Sequence, residues 1–354
     1  MSRSLTLALV ATVCGVPLRG APSPPRATAQ EPQRAAVAIS GTVVGAETGR
    51  PLPFSVVALL PVFSRRFTDQ TGAFTFAGVA PGTYHLLARQ IGYTPLDTVL
   101  AVLADSAPVL RIALSHVAIQ LPPVTVTGKT TCGTAGPVGA PELAAVFDQL
   151  LENARRFELL ADSFPHRFRI ERIFTTVDRQ GRNEVSQVDT FERESSFRWP
   201  YRPGRIVGPP TGPLNNDRLV RLPSLSDFAD STFVDAHCFR LVGRDTLAGS
   251  TFIRVDFAPV AALRSTDVEG AAYLDPVTYQ IRYTTVRLTR PERGIPGVAA
   301  MVATIHFSEI APGILLHDHV RSVETFAWSH TPAERIEEQR LLGVHFLRAL
   351  IHPQ

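Results

Sequence analysis

Thr68-Asp69-Gln70-Thr71-Gly72-Ala73-Phe74-Thr75-Phe76, followed by Pro81-Gly82-Thr83-Tyr84-His85-Leu86, decides how the N-terminal part of this chain folds. Thr68 to Gly72 is a cluster of turn formers, and Pro81-Gly82 is a second turn, where proline presets φ and glycine accepts positive φ. Between and after the turns apolar and polar residues alternate, so Phe74, Phe76, Tyr84 and Leu86 fall on one face of neighbouring strands. The pattern extends outward. Val37 to Val44 is β-branched and partly alternating, Gly45 to Pro53 is loop, and Phe54 to Leu60 is continuous enough for a strand buried on both faces. Asp97 to Leu103 and Val109 to Leu114 complete a series of short, evenly spaced strands, which predicts a β-sandwich.

The whole chain has 354 residues, 45% of them apolar, enough for two domains with cores. Only 19% are charged, while Pro (29) and Gly (24) are plentiful, which favours strands and turns over a helical bundle. Arg3, the apolar run Leu5 to Val16, Pro17 and the small-x-small site Ala27-Thr28-Ala29 read as a signal peptide over residues 1–29. Cys14 lies inside the apolar run with Val13 before it, which does not fit a lipidation site. The expected address is therefore export to the periplasm, the outer membrane or the cell exterior. Arg3, Arg19 and Arg26 account for the formal charge of +3, so the remainder is neutral and has no basic stripe for nucleic acid. No apolar segment is long enough to predict a transmembrane span. Beyond the leader, Cys132 and Cys238 form an even pair in an oxidising compartment, which reads as a disulfide; two separate buried thiols are the alternative.

After a linker at 116–140, Pro141 to Ala161 is the clearest helix. Leu143, Val146, Phe147, Leu150, Leu151, Ala154 and Phe157 make one apolar stripe, and Asp148, Glu152, Arg155 and Arg156 take the opposite face. From Arg167 the chain returns to strands, with a hairpin turn at Asp178 to Asn183, an irregular excursion over 199–227, and further strands near 239–242, 250–257, 269–274, 280–288, 300–307, 314–323 and 338–346. The expected fold class is mainly β: a seven-stranded sandwich at 37–115, then an α+β domain at 141–354 whose curved antiparallel sheet packs on one helix.

Ser40-Gly41-Thr42-Val43, Gly49-Arg50-Pro51-Leu52-Pro53, Val56-Val57-Ala58-Leu59 and the two stretches quoted first resemble the carboxypeptidase regulatory-like domain. The resemblance covers about 38–115 and implies a prealbumin-like sandwich grouped with carbohydrate-binding-like folds. The matching positions are turns and core, so they imply fold and not chemistry. Val-Thr-Val-Thr at 124–127 is similar to the connector after this domain in TonB-dependent receptors, although no barrel of that size follows. Asp267 to Ile281 resembles strand–turn–strand units of uncharacterised envelope proteins and lipoprotein-carrier-like half-barrels. His237-Cys238-Phe239, preceded by Phe228-Ala229-Asp230, is similar to uncharacterised chains that pair such a domain with the sandwich.

Candidate chemistry is sparse. His317 and His319 on one strand would share a face and offer two metal ligands, with no third in view; the alternative is a solvent-facing pair, with Asp318 turned inward or placed in a turn. His237 beside Cys238 suggests a thiolate pair only if that cysteine is reduced. No Gly-x-Ser-x-Gly elbow, His-Glu-x-x-His or lysine-bearing Gly-rich loop is present, and no cofactor is expected. The candidate ligand-binding surface is Arg198 to Arg205, where Trp199 and Tyr201 could stack on a sugar and Arg202 and Arg205 could grip an anionic group. The expected function is a non-catalytic exported envelope protein that binds a glycan or envelope-protein partner. The alternatives are a periplasmic carrier holding a hydrophobic or lipid cargo around the helix, and a metal-dependent hydrolase.

Overall fold

The computed structural model describes residues 36–62, 64–104, 108–119, 132–137, 141–212, 215–311, 314–328 and 332–348. The expected signal peptide and the Val-Thr-Val-Thr connector lie outside the described residues.

Seven strands form the N-terminal unit: β1 (Val37–Gly45), β2 (Val56–Leu60), β3 (Ser64–Phe67), β4 (Ala73–Val79), β5 (Gly82–Arg89), β6 (Leu96–Val102) and β7 (Val109–Leu114). They make two sheets, ordered β4-β1-β7 and β3-β2-β5-β6. β1 pairs antiparallel with β4 and parallel with β7, which requires a long crossover. Alternation places Val43, Leu59, Phe74, Phe76, Tyr84 and Leu86 in one core between the sheets. Gly72 takes φ +75, and a Cβ there would stand 2.6 Å from the Val43 carbonyl oxygen, so the turn before β4 requires glycine. β3 was not expected, because Ser64-Arg65-Arg66-Phe67 is too short and too polar to show a period.

Helix α1 (Pro141–Ser163) follows. The remaining chain gives β8 (His166–Val177), β9 (Asn183–Glu194), β10 (Val207–Gly212), β11 (Asn215–Val220), β12 (His237–Leu247), β13 (Ser250–Pro259), β14 (Asp267–Leu274), β15 (Ile281–Thr289), β16 (Val298–Ala311), β17 (Ile314–Phe326) and β18 (Glu334–Phe346). β10 and β11 form a small hairpin inside the stretch expected to be irregular. The others make a nine-stranded antiparallel sheet, ordered β12-β13-β14-β15-β16-β17-β18-β8-β9.

The inner face of this sheet has two halves. Over β13 to β16, Val255, Phe257, Ala272, Val286 and Ile305 pack against the helix stripe of Leu143, Val146, Phe147 and Leu150. Directly opposed residues share a face, and the register carries that face from Ile305 to Val320, Gln339, Arg172 and Asp189. The far half of that face is therefore mixed, with Gln339, Arg172 and Asp189 alongside apolar Ile170, Phe168 and Phe191. The ring contact of Phe168 with His317 at 5.5 Å spans the intervening β18, so the sheet curls inward there. No helix among the described residues is long and apolar enough to cross a membrane.

The two units dock through α1. Ile91, in the loop after β5, is 5% exposed and belongs to the core under the helix. Gly92 donates its N–H to Gln149 Oε1 at 2.7 Å, and Gln90 Oε1 accepts from the Arg156 guanidinium. Gly92 takes φ +83, and its missing Cβ would lie 3.0 Å from the Thr278 carbonyl oxygen in the β14–β15 turn. Glu152 and Arg156 were expected on the solvent side of the helix, but they are buried. The sandwich covers that face, where Gln90 accepts from Arg156 and Arg89 stands 3.9 Å from Glu152. Burial lowers the Arg156 pKa to about 10 against the opposing pull of Glu152 and Glu309.

Candidate functional site

The loop expected to offer a ligand surface is folded inward at its centre. Tyr201 is 3% exposed, its ring meets Phe233 and His237, and its hydroxyl donates to Asp267 Oδ2 at 2.9 Å. The same oxygen accepts from the Gly204 N–H at 2.9 Å. Burial first, then the Asp267 carboxylate, raises the Tyr201 pKa. Arg221 lies over the Tyr201 ring, donates to the Trp199 carbonyl oxygen and pairs with buried Asp227 at 2.5 Å. Tyr201 therefore anchors the loop and has no face free for a sugar, which corrects the stacking role expected of it. Trp199 is half-buried, while Arg202 and Arg205 stay exposed. The sequence showed an aromatic–arginine cluster but not which buried acid would claim it.

The histidine pair is separated. His306 opposes His319 and Phe307 opposes His317, so one residue, Asp318, is extra on β17. This β-bulge breaks the alternation and sends the two histidines to opposite faces, correcting the shared face that metal binding required. His317 turns to the inner face against Phe168. Asp318 goes outward and accepts from Ser308 while meeting His306 Nδ1 at 2.5 Å. Ser308, Asp318 and His306 are not a nucleophile–base pair, because the carboxylate and not the imidazole touches the hydroxyl.

Burial, together with nearby Arg193, lowers the His317 pKa to about 4. The unfolded side chain titrates near ~6.5. The unfolded chain therefore takes up the proton first. Stability is full above about pH 6.5, falls as pH drops towards 4, and is constant below. The half-buried ring limits the loss to no more than about 3 kcal/mol. Burial also depresses His166 and His237, so they add to the same limb. Urea unfolding of H317Q and the parent chain between about pH 6.5 and 5 isolates the His317 share: the variant should lose less stability over that window.

Cys132 and Cys238 form a disulfide with Cα atoms 5.8 Å apart. Gly136 bridges to Cys238, and its N–H bonds the His237 carbonyl oxygen at 2.8 Å, so residues 132–137 are held along the edge strand β12. The bridge removes the thiolate. His237 is fully buried, with Nδ1 2.9 Å from the Phe233 carbonyl oxygen and Nε2 3.1 Å from that of Val268, and its single N–H when neutral donates to one of them.

Sequence reasoning did not find a concave feature that lies where the sandwich meets α1. It has a volume of about 350 Å³ and is lined by Arg89, Gln90, Tyr93, Pro95, Asp148, Gln149, Glu152 and Arg155. The β5–β6 loop supplies one wall and successive turns of α1 the other. Arg89 and Glu152 face each other at 3.9 Å, while Asp148 and Arg155 are exposed at the rim. Tyr93 is half-buried, with its ring edge-on to His116 at 5.4 Å. Burial and the charge of Glu47 raise the Tyr93 pKa, so its hydroxyl stays protonated and able to donate. The cleft thus offers donors, acceptors and one aromatic ring, the equipment for a polar ligand. Between helix and sheet, by contrast, the cavity lined by Phe157, Leu160, Leu225 and Leu315 holds about 10 Å³, room for a water and not for an acyl chain.

No curated protein matches this chain. Among solved structures it is similar to a domain described as an outer membrane lipoprotein-sorting protein from Vibrio parahaemolyticus, at 11% identity and TM-score 0.31, covering 58% of this chain and 94% of that one. It is also similar to a DUF1329 family protein from Desulfovibrio piger, at 13% identity and TM-score 0.33, covering 61% of this chain and 95% of that one. The seven-stranded N-terminal unit matches a family model across residues 38–115, and that model is the carboxypeptidase regulatory-like domain.

Proposed function

We propose that this is a non-catalytic binding protein of the bacterial envelope, which holds a polar, carbohydrate-type ligand in the cleft between the sandwich and α1. The observation that carries the reading is the cleft itself. Its volume is about 350 Å³, and charged, amide and phenol groups from both units converge on it. Small-ligand sites concentrate at such domain junctions. A sugar ring is recognised by paired hydroxyl hydrogen bonds and an aromatic neighbour; Gln90, Asp148, Arg155 and Tyr93 supply those types. The export signal read at 1–29 and the disulfide suit an oxidising compartment. The sandwich family's place among carbohydrate-binding-like folds adds analogy only.

Calorimetric titration of the chain lacking residues 1–29 with neutral, N-acetylated and uronic-acid oligosaccharides tests this. At least one class should bind, and D148A and R155A, both at exposed rim positions, should each weaken it about tenfold while melting like the parent. No heat with any oligosaccharide class, or equal affinity in both variants, would refute the assignment.

A further inference from the structure

We propose a second site, distinct from the junction cleft: the curled inner face of the sheet binds an oxyanion, a phosphate or carboxylate group, between Arg193 and His317. Register sets the geometry. Arg193 on β9 opposes Phe168 on β8, and the Phe168 ring touches His317 from β17. Phe168 is thus the floor shared by two nitrogen donors that the curl brings toward each other.

Arg193 is presented by aromatic rings and not by a carboxylate. Its neighbour on the same face, Arg172, makes a two-pronged pair with Asp189 at 3.0 and 2.7 Å. Arg254, Arg240 and Arg335 also have carboxylate partners. Arg193 makes no ion pair among the described residues. Instead its guanidinium lies over two rings, 5.5 Å from the centroid of Phe191 and 5.1 Å from that of Phe197. Stacking fixes the plane of a guanidinium while leaving its N–H edge free, which is how arginine is presented to a planar oxyanion. The other charged groups nearby are Arg172, Glu337 and, on the opposite side of the bulge, Asp318. Half-burial of His317 strengthens a charge-assisted hydrogen bond there relative to one in open water, while exposed Arg193 leaves the site open to a ligand.

The ligand brings the negative charge that both groups lack, so bound anion and protonated His317 stabilise each other. Inorganic phosphate, sodium acetate and sodium chloride at matched ionic strength are the probes, with the His317 ring followed by NMR. Phosphate or acetate should shift the ring signal saturably and raise the His317 pKa, and whichever acts more strongly names the preferred group. R193Q should weaken that response about tenfold or more, and R193K, which keeps charge but not the fork, by less. R202Q, at an exposed arginine elsewhere, should leave it unchanged. A response no larger than that to chloride, or one retained in both Arg193 variants, would overturn the proposal.

Discussion

Replacing both Cys132 and Cys238 by serine is expected to cost about 4–5 kcal/mol, because the bond closes a loop whose ends are 106 residues apart. That loop holds α1, β8 to β11 and the start of β12, so the crosslink restricts a large part of the unfolded chain. The folded-state consequence is local. Residues 132–137 pair along β12 through Gly136 and, by the Cys132 carbonyl oxygen, accept from the Ala261 N–H at 3.1 Å. Without the bond this segment has only a few hydrogen bonds to stay on the edge, and the edge of β12 opens. The melting temperature should fall by roughly 10 °C, with amide exchange rising first at residues 132–137 and 236–239. The same shift should follow from adding reductant to the parent chain. A double serine variant that melts with the parent would mean that the crosslink contributes nothing to holding this edge.

What the sequence made legible, and what it hid, divide along physical lines. The sandwich was readable because its cues are local: the turn at Asp69 to Gly72 is closed by Asp69 Oδ1 accepting from the Thr71 and Ala73 N–H groups, all within five residues. The helix stripe was readable because one period of apolar residues faces one sheet. Long-range polar events were hidden. Tyr201 was read as exposed because nothing near it in sequence marks Asp267, 66 positions away, as its acceptor. The His317–His319 spacing was read by strict alternation, and one extra residue in register, Asp318, defeats that rule. The junction cleft was invisible for the same reason. Glu152 and Arg156 have the look of a solvated helix face, and they are buried only because a separate unit lands on them. The aromatic–arginine chemistry sought at 198–205 is instead carried by Arg172, Arg193, Phe174, Phe191 and Phe197. On the strands those residues read as ordinary alternation.

The junction is also where a single substitution should have the largest functional effect. Ile91 is 5% exposed and is the sandwich's apolar contribution to the core beneath α1. Replacing it with Asp would force a carboxylate against Phe157, Leu160, Leu225 and Leu315, beside an Arg156 already engaged by Gln90, a cost of about 4 kcal/mol from lost burial and desolvation together. The sandwich has its own closed core of Ile39, Val57, Leu59 and Phe76, so the economical response is to undock and not to unfold. Undocking exposes Glu152 and Arg156 to water, removes the Gly92–Gln149 hydrogen bond, and takes away the wall formed by Arg89, Gln90 and Tyr93. I91D should therefore keep its strand content by circular dichroism, become sensitive to protease in the 116–140 linker, and lose oligosaccharide binding altogether. I91L, which keeps apolar volume, should retain all three properties. Binding that survives a demonstrably undocked I91D chain would place the ligand on one unit alone and remove the shared cleft as its site.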